Sequence, residues 1–184
     1  MSTVVPHASK TALQNRPTMP LGRRLRRTVL VTHIVSASAW IGIDVVVAIL
    51  VATSFVADNA QTEAVAYQAL GIIAVWPMFV AGTACLATGI LLGIGTKYGL
   101  VRMWWVAIKL CVNVVLATVI LVVLRPGINE LAAHGRDVLA GASPKPVDTS
   151  TLVFPPSVSL TALTVAVVLS VFKPWGRIRK GSPR

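Results

Sequence analysis

Four long apolar runs, separated by polar or proline-containing segments, dominate the pattern of this chain. A helix that crosses the roughly 30 Å hydrocarbon core of a bilayer needs about 20 mostly apolar residues. The runs therefore predict four membrane spans, at about 29–51, 76–95, 103–124 and 156–172. The expected fold class is all-α, an integral membrane four-helix bundle that occupies residues 28–175.

Prolines refine the ends of two of these spans. The apolar stretch around Pro77 is too long for one untilted span, and proline is best tolerated in the first turn of a helix. We therefore begin the second span at Trp76 and expect 64–75 to be either its extension or a helix at the outer surface. Arg125-Pro126 is expected to end the third span. The hydrophilic stretch 127–150 then predicts an exposed loop that can hold a short helix at 128–139.

Composition and charge place the chain in a bilayer and predict its orientation. With 55% hydrophobic and 12% charged residues, it is too apolar for a soluble protein of this size. With the N-terminus inside, the 17 lysines and arginines divide into 13 in cytoplasmic segments, 3 in external loops and one, Lys109, within a span. This bias predicts that both termini are cytoplasmic, each in a basic tail, 1–27 and 176–184.

The net charge of +11 could also suggest a nucleic-acid partner. The basic residues flank the apolar runs, however, and form no soluble module. The expected partner is therefore the bilayer itself, through anionic headgroups on the cytoplasmic side, and no nucleic acid is expected. The two cysteines, Cys85 and Cys111, both fall within apolar runs, which excludes a disulfide framework.

Polar side chains inside the spans are the candidate functional residues. His33, Trp40 and Asp44 share one face of the first span, and Lys109 and Asn113 share a stripe on the third. By helical rise, His33 and Lys109 lie at the same depth, roughly 7–10 Å from the cytoplasmic edge. We therefore expect a shared polar layer, with the first and third spans as neighbours and a neutral imidazole beside the lysine.

Each of these residues also has a structural interpretation. Lys109 can extend its amine to the inner headgroups. His33 can be a hydrogen-bonded core residue, a haem or metal ligand, or a proton relay. Asp44, about 24 Å from the cytoplasmic edge, can be a paired or water-contacting carboxylate. No dedicated metal site is predicted, and no catalytic motif is present.

Small residues recur at four-residue spacing on the second span: Ala81, Cys85, Gly89 and Gly93. Such a ridge lets helix backbones approach closely in lipid, where no hydrophobic drive brings helices together. Packing within the chain is the favoured interpretation, and association of two copies through this ridge is the alternative. Neither cysteine has an activating partner nearby in the sequence, so both are expected to pack as small apolar residues.

Three segments carry a family resemblance: Gly82–Gly89, Gly95–Arg102 and Trp104–Lys109. Together with His33, followed seven residues later by Trp40 and then Gly42, they resemble a family of uncharacterised four-helix integral membrane proteins common in actinobacteria. Tyr98 stands where that pattern usually has tryptophan, and the resemblance covers about residues 28–125. It implies a multi-pass protein of a bacterial cell membrane.

This family is distantly similar to the copper-resistance D membrane proteins and to the membrane protoporphyrinogen oxidases that bind haem. By motif position, the resemblance implies His33 and Lys109 as the residues that would contact such a cofactor. Four hypotheses follow: a membrane protein of unassigned role with a polar intramembrane layer, a haem-binding oxidoreductase that uses His33, a permease for copper or another small solute, and a structural or partner-binding bundle. In the haem hypothesis, Arg26, Arg27 and Arg102 are expected to pair with the propionates.

Overall fold

The structure is a computed structural model that describes residues 22–95, 104–145 and 147–172. Within these ranges the chain is almost entirely helical, as the sequence predicted. The α-helices are α1 (Arg23–Val56), α2 (Ala60–Ile73), α3 (Trp76–Ile94), α4 (Trp104–Val119), α5 (Arg125–Leu139) and α6 (Phe154–Phe172), with a π-helical segment at Ile120–Leu124. Four helical stretches are long and apolar enough to cross a membrane: Arg23–Val56, Ala60–Ile94, Trp104–Leu139 and Phe154–Phe172.

The stretch before the second span is an extension of it. Asn59 caps the start of α2 by accepting a hydrogen bond from the Thr62 amide, at 2.8 Å. The helix is interrupted only at Ala74 and Val75, both of which keep right-handed helical angles. Pro77 explains the interruption, because it lacks the N–H that would bond four residues back and its ring would clash there. Of the two interpretations left open by the sequence, the structure favours the extension.

The third span does not end at Arg125-Pro126, which corrects the prediction from the sequence. The helix passes through the π segment, where the Arg125 amide bonds to the Ile120 carbonyl five residues back, and continues as α5. The wider π turn places one extra residue before the proline, which relieves the clash that Pro126 would cause in a regular helix. The short helix expected within the loop is therefore the C-terminal continuation of the third helical stretch, Trp104–Leu139.

The helices pack as a ring with an outer layer. α1 packs against α2, α3 and α6, and α4 packs against α3 and α6. Among the described residues, α1 and α4 do not pack side by side, so they occupy opposite corners of the bundle. The first and third spans were expected to be neighbours across the bundle, and they do face each other across it without direct side-by-side packing. α2, which precedes α3, and α5, which follows the π segment, pack on each other, and we call this pair the outer layer.

Close backbone contact joins α2 to α5. A Cβ atom at Gly71 would lie 2.6 Å from the Ala132 Cβ, and one at Gly135 would lie 2.6 Å from the Ala64 carbonyl oxygen. The Tyr67 ring packs edge-on against His134, with centroids 6.1 Å apart, and its hydroxyl donates to Glu63 at 2.5 Å. This contact explains why the hydrophilic segment after the third span is a packed helix.

Large apolar side chains cover the outside of the bundle. Val31, Ile49, Val122 and Val171 are each more than half exposed, and they lie on three different elements, α1, the π segment and α6. A soluble protein rarely leaves so many large apolar side chains in water, whereas a bilayer solvates them. The exposed surface therefore agrees with a multi-pass membrane protein.

Candidate functional site

A cluster of polar side chains crosses the bundle in the half that holds the start of α1. It is formed by all four spans, and we call it the inner polar layer. Its members are His33 of α1, Cys85 and Thr88 of α3, Lys109 and Asn113 of α4, and Ser170 of α6. The structure thus brings His33 and Lys109 into one layer, as the depth argument expected, and Asn113 joins them from the same stripe of α4.

His33 is anchored to α3 through one ring nitrogen. Its Nδ1 atom lies 3.0 Å from the Cys85 carbonyl oxygen and 3.0 Å from the Thr88 Oγ1. A carbonyl can only accept, so Nδ1 must carry the hydrogen. The Thr88 hydroxyl donates to the Ala84 carbonyl at 2.6 Å and can therefore accept from the imidazole as well. Among the described residues, Nε2 has no hydrogen-bond partner, and in the neutral ring its lone pair is available to a ligand.

The approach of α1 to α3 at this point depends on glycine. A Cβ atom at Gly89 would lie 3.2 Å from the His33 Cε1 atom, closer than most real side chains approach one another. Seven residues earlier, a Cβ at Gly82 would lie 2.8 Å from the Trp40 ring. The two glycines therefore leave room for the two aromatic rings that α1 directs at α3.

Lys109 is held on the opposite side of the layer. Its ammonium donates to the Ser170 hydroxyl at 2.5 Å, and it lies 6.0 Å from the centroid of the Trp105 ring. It is also close enough to His33 and Cys85 to interact with both electrostatically. The lysine amine therefore has a partner inside the bundle, which favours the buried role over extension to the headgroups.

Three members of this layer were missed by the sequence analysis: Cys85, Thr88 and Ser170. Cys85 was expected to be a small packing residue, yet its thiol lies 3.8 Å from the His33 Nδ1 and within hydrogen-bonding reach of the Asn113 side chain. The Asn113 Oδ1 is buried and has no hydrogen-bond partner among the described residues. The signal in the sequence was the i, i+3 spacing of Cys85 and Thr88, which places both on one face of the second span.

Asp44 lies outside the inner polar layer. It is 11 residues beyond His33 on α1, about 16 Å along the helix, and only 1% exposed. Its Oδ2 accepts a hydrogen bond from Ser159 of α6 at 2.6 Å. In the part of the chain that the structure describes, the buried Asp44 Oδ1 has no hydrogen-bond partner, and neither has the buried Trp40 Nε1 one turn away. The shared face of His33, Trp40 and Asp44 therefore serves two separate sites.

The two serines of α6 reproduce the spacing of the polar residues on α1. Ser159 and Ser170 are 11 residues apart, as are His33 and Asp44, and α6 runs antiparallel to α1. Each serine therefore meets one polar layer. The matching spacing is a signal that could have predicted both contacts.

The ridge of small residues on the second span faces the interior of the chain. Ala81, Cys85 and Gly93 are buried, and Gly89 is half-buried against His33. Packing of α3 on α1 therefore accounts for the ridge. Association of two copies through it stays a prediction that a single chain does not test.

Comparison with known proteins adds no further information about the site. No family model, curated protein or solved structure matches this chain. The family resemblance described above therefore stays an expectation.

The copper-permease hypothesis receives little support from the arrangement of the soft ligands. Cys85 is buried in the inner polar layer, whereas Cys111 is exposed on α4. Met103, whose thioether is a further candidate ligand for copper, lies outside the described residues. Within the described ranges, no three His, Cys, Asp or Glu side chains converge on a point that could hold a metal ion. A copper path needs clustered thiolate or thioether ligands.

Proposed function

We propose that this is a multi-pass protein of a bacterial cell membrane, with both termini in the cytoplasm and its active part in the inner polar layer. The distribution of lysine and arginine supports this orientation, and the four apolar helices support the location. Arg23 and Arg24 at the start of α1 are then at the inner surface, where anionic headgroups would bind them. In this orientation the outer layer of α2 and α5 faces the cell exterior.

The orientation can be tested separately from any activity. An alkaline phosphatase fused after Gly141, beyond α5, is expected to be active because that connection lies outside. A fusion at the C-terminus is expected to be inactive, because the basic tail stays in the cytoplasm. The reverse pattern of activity would overturn the proposed orientation and, with it, the assignment of the inner and outer layers.

Within this frame, the function that the geometry supports best is that of a haem-binding membrane protein with His33 as the protein ligand to iron. The observation that carries this proposal is the hydrogen bond between Nδ1 and the Cys85 carbonyl. Histidines that bind metals almost always donate their other ring N–H to a carbonyl or carboxylate, which orients the ring and fixes its tautomer. His33 has this anchor, and its Nε2 has no competing partner among the described residues.

Around His33, the arginines fit a bound haem, whereas Lys109 does not fit as a second ligand to its iron. Arg26 lies seven residues before His33 on the same face of α1, is exposed, and could pair with a propionate at the inner surface. Arg27 is also exposed there, whereas Arg102 lies outside the described residues. Lys109 does not fit as a second ligand, because Ser170 already holds its amine. We therefore assign Lys109 a different role, as a fixed positive charge near the ring.

A haem bound to His33 would supply a one-electron couple within the bilayer. The protein's own residues would bind and orient it: the Cys85 carbonyl and Thr88 hold the imidazole in one tautomer, and Gly89 lets the ring lie close to α3. The Lys109 ammonium would favour the reduced, less positive state of the site. The same positive charge of Lys109 would attract an anionic substrate to the cytoplasmic half of the bundle.

The test is the visible absorption spectrum of the full-length protein, purified in detergent after expression with ample haem. We expect a Soret band in the wild type and its loss in the His33→Ala variant. His134→Ala, which removes the imidazole that packs on Tyr67 in the outer layer, should keep the band. A folded wild-type protein without a Soret band would overturn the proposal.

A second variant separates the loss of the ligand from misfolding. His33→Gly leaves a space next to Gly89 that free imidazole can occupy. Added imidazole is expected to restore the band in this variant and to have no such effect in His134→Gly. A band that persists in His33→Gly without imidazole would show that the haem is bound elsewhere.

A further inference from the structure

A second site lies beside Asp44 and its hydrogen bond with Ser159. A cavity of about 290 Å³ lies between α1, α3, α4, the π segment and α6. Its lining is apolar except for Asp44 and Ser159. Ser159 occupies only the Oδ2 atom of the carboxylate, and Oδ1 has no hydrogen-bond partner among the described residues, so Asp44 is the strongest polar feature of the cavity.

A carboxylate in this position lacks a counter-charge. Among the described residues that line the cavity, no lysine, arginine or histidine faces Asp44. An ionised carboxylate that is 1% exposed and accepts one hydrogen bond is expensive in an apolar environment. Buried polar groups without partners are rare in folded proteins. Such a group next to an apolar cavity indicates a ligand-binding site.

The cavity opens toward lipid. Val123, Phe154 and Val158 contribute to its lining and are each more than half exposed on the outside of the bundle. A molecule would therefore enter from the hydrocarbon phase between the π segment and α6. The π segment widens the helix at this point, and single π turns are frequent at functional sites.

We propose that this cavity binds a lipophilic monocationic amine, whose ammonium pairs with the Oδ1 atom of Asp44 and whose apolar body fills the space between the π segment and α6. A cavity of about 150 Å³ holds benzene, so twice that volume suits a body of about a dozen non-hydrogen atoms. One carboxylate and one hydroxyl supply too few oxygens for a calcium or magnesium ion. The site is independent of His33, which lies about 16 Å away along α1.

The probe for this site is radiolabelled 1-adamantylamine, a compact apolar cage that carries one ammonium group. Its equilibrium binding is measured on the full-length protein in nanodiscs of phosphatidylcholine and phosphatidylglycerol. We expect saturable binding that weakens by about tenfold or more in Asp44→Asn, which keeps the shape and removes the charge. Asp58→Asn, which changes an exposed acid between α1 and α2, should bind as the wild type does.

Two further measurements keep the result interpretable. Unlabelled 1-adamantanol, which has the same cage without the charge, should displace the probe at least about tenfold less well than unlabelled amine. Val158→Trp should close the opening and reduce binding while Asp44 stays in place. Equal binding to the wild type and Asp44→Asn, or equal displacement by the alcohol and the amine, would overturn the proposal whether or not the protein binds haem.

Discussion

Replacing Trp40 with alanine is expected to lower the free energy of unfolding by about 3–5 kcal/mol, the cost of removing a large buried aromatic ring. Trp40 is completely buried, and its ring lies against α3 so closely that Gly82 has no room for a Cβ atom. The indole Nε1 has no hydrogen-bond partner within the described ranges, so the expected loss comes from packing. In lipid, where apolar surface is solvated on either side, such packing is a main source of helix association.

The measurement is reversible unfolding of the purified protein in mixed micelles with increasing sodium dodecyl sulfate. Trp104→Ala is the matched control, since Trp104 is half exposed at the start of α4. It removes the same side chain and should cost less than about 1 kcal/mol. If the two variants lost equal stability, α1 would not pack on α3 through Trp40, and the interior face of α1 would have to be reassigned.

The second large effect is expected at Gly135, where alanine should destabilise the contact between α2 and α5 by about 1–3 kcal/mol. A Cβ at this position would lie 2.6 Å from the backbone oxygen of Ala64 and 3.3 Å from the Tyr67 Cβ. A backbone carbonyl cannot rotate away as a flexible side chain can, so the two helices must separate. The local signal is increased protease sensitivity or hydrogen exchange of α5.

Gly127→Ala provides the control on the same helix. Nothing lies within 4 Å of a Cβ atom at Gly127, so alanine there should be neutral or stabilise the helix by up to about 1 kcal/mol. Opposite signs for the two substitutions would show that α5 is packed on α2. Equal, small effects would instead favour the exposed loop that the hydrophilic sequence predicted.

The two polar sites lie at different depths in the interior of the bundle. In the inner polar layer an imidazole contacts a thiol, and an ammonium interacts electrostatically with both, whereas the outer site holds one carboxylate beside an apolar cavity. The packed ring of Trp40 lies between them on α1. We expect the His33 and Asp44 variants to affect haem spectrum and amine binding separately, since residues this far apart without shared partners usually act independently.

The sequence by itself determined the all-helical class, the number of spans, and the layer that His33 and Lys109 share. These features depend on the length and spacing of apolar and polar residues along single helices, and the constant rise of a helix converts such spacing directly into depth. The matching 11-residue intervals on α1 and α6 are also visible in the sequence, and they could have predicted at which depths the two helices meet.

Only the tertiary structure decided how the helices are arranged around the axis and where they continue. It placed α1 and α4 at opposite corners, brought Cys85 into the inner polar layer, and carried the third helix through Pro126 by means of a π turn. The order and rotation of helices in a bilayer depend on close packing and on hydrogen bonds between helices, because lipid supplies no hydrophobic drive that an apolar pattern could reveal. The partnerless oxygen of Asp44 is likewise a property of the assembled bundle, since its serine partner lies 115 residues away in the chain.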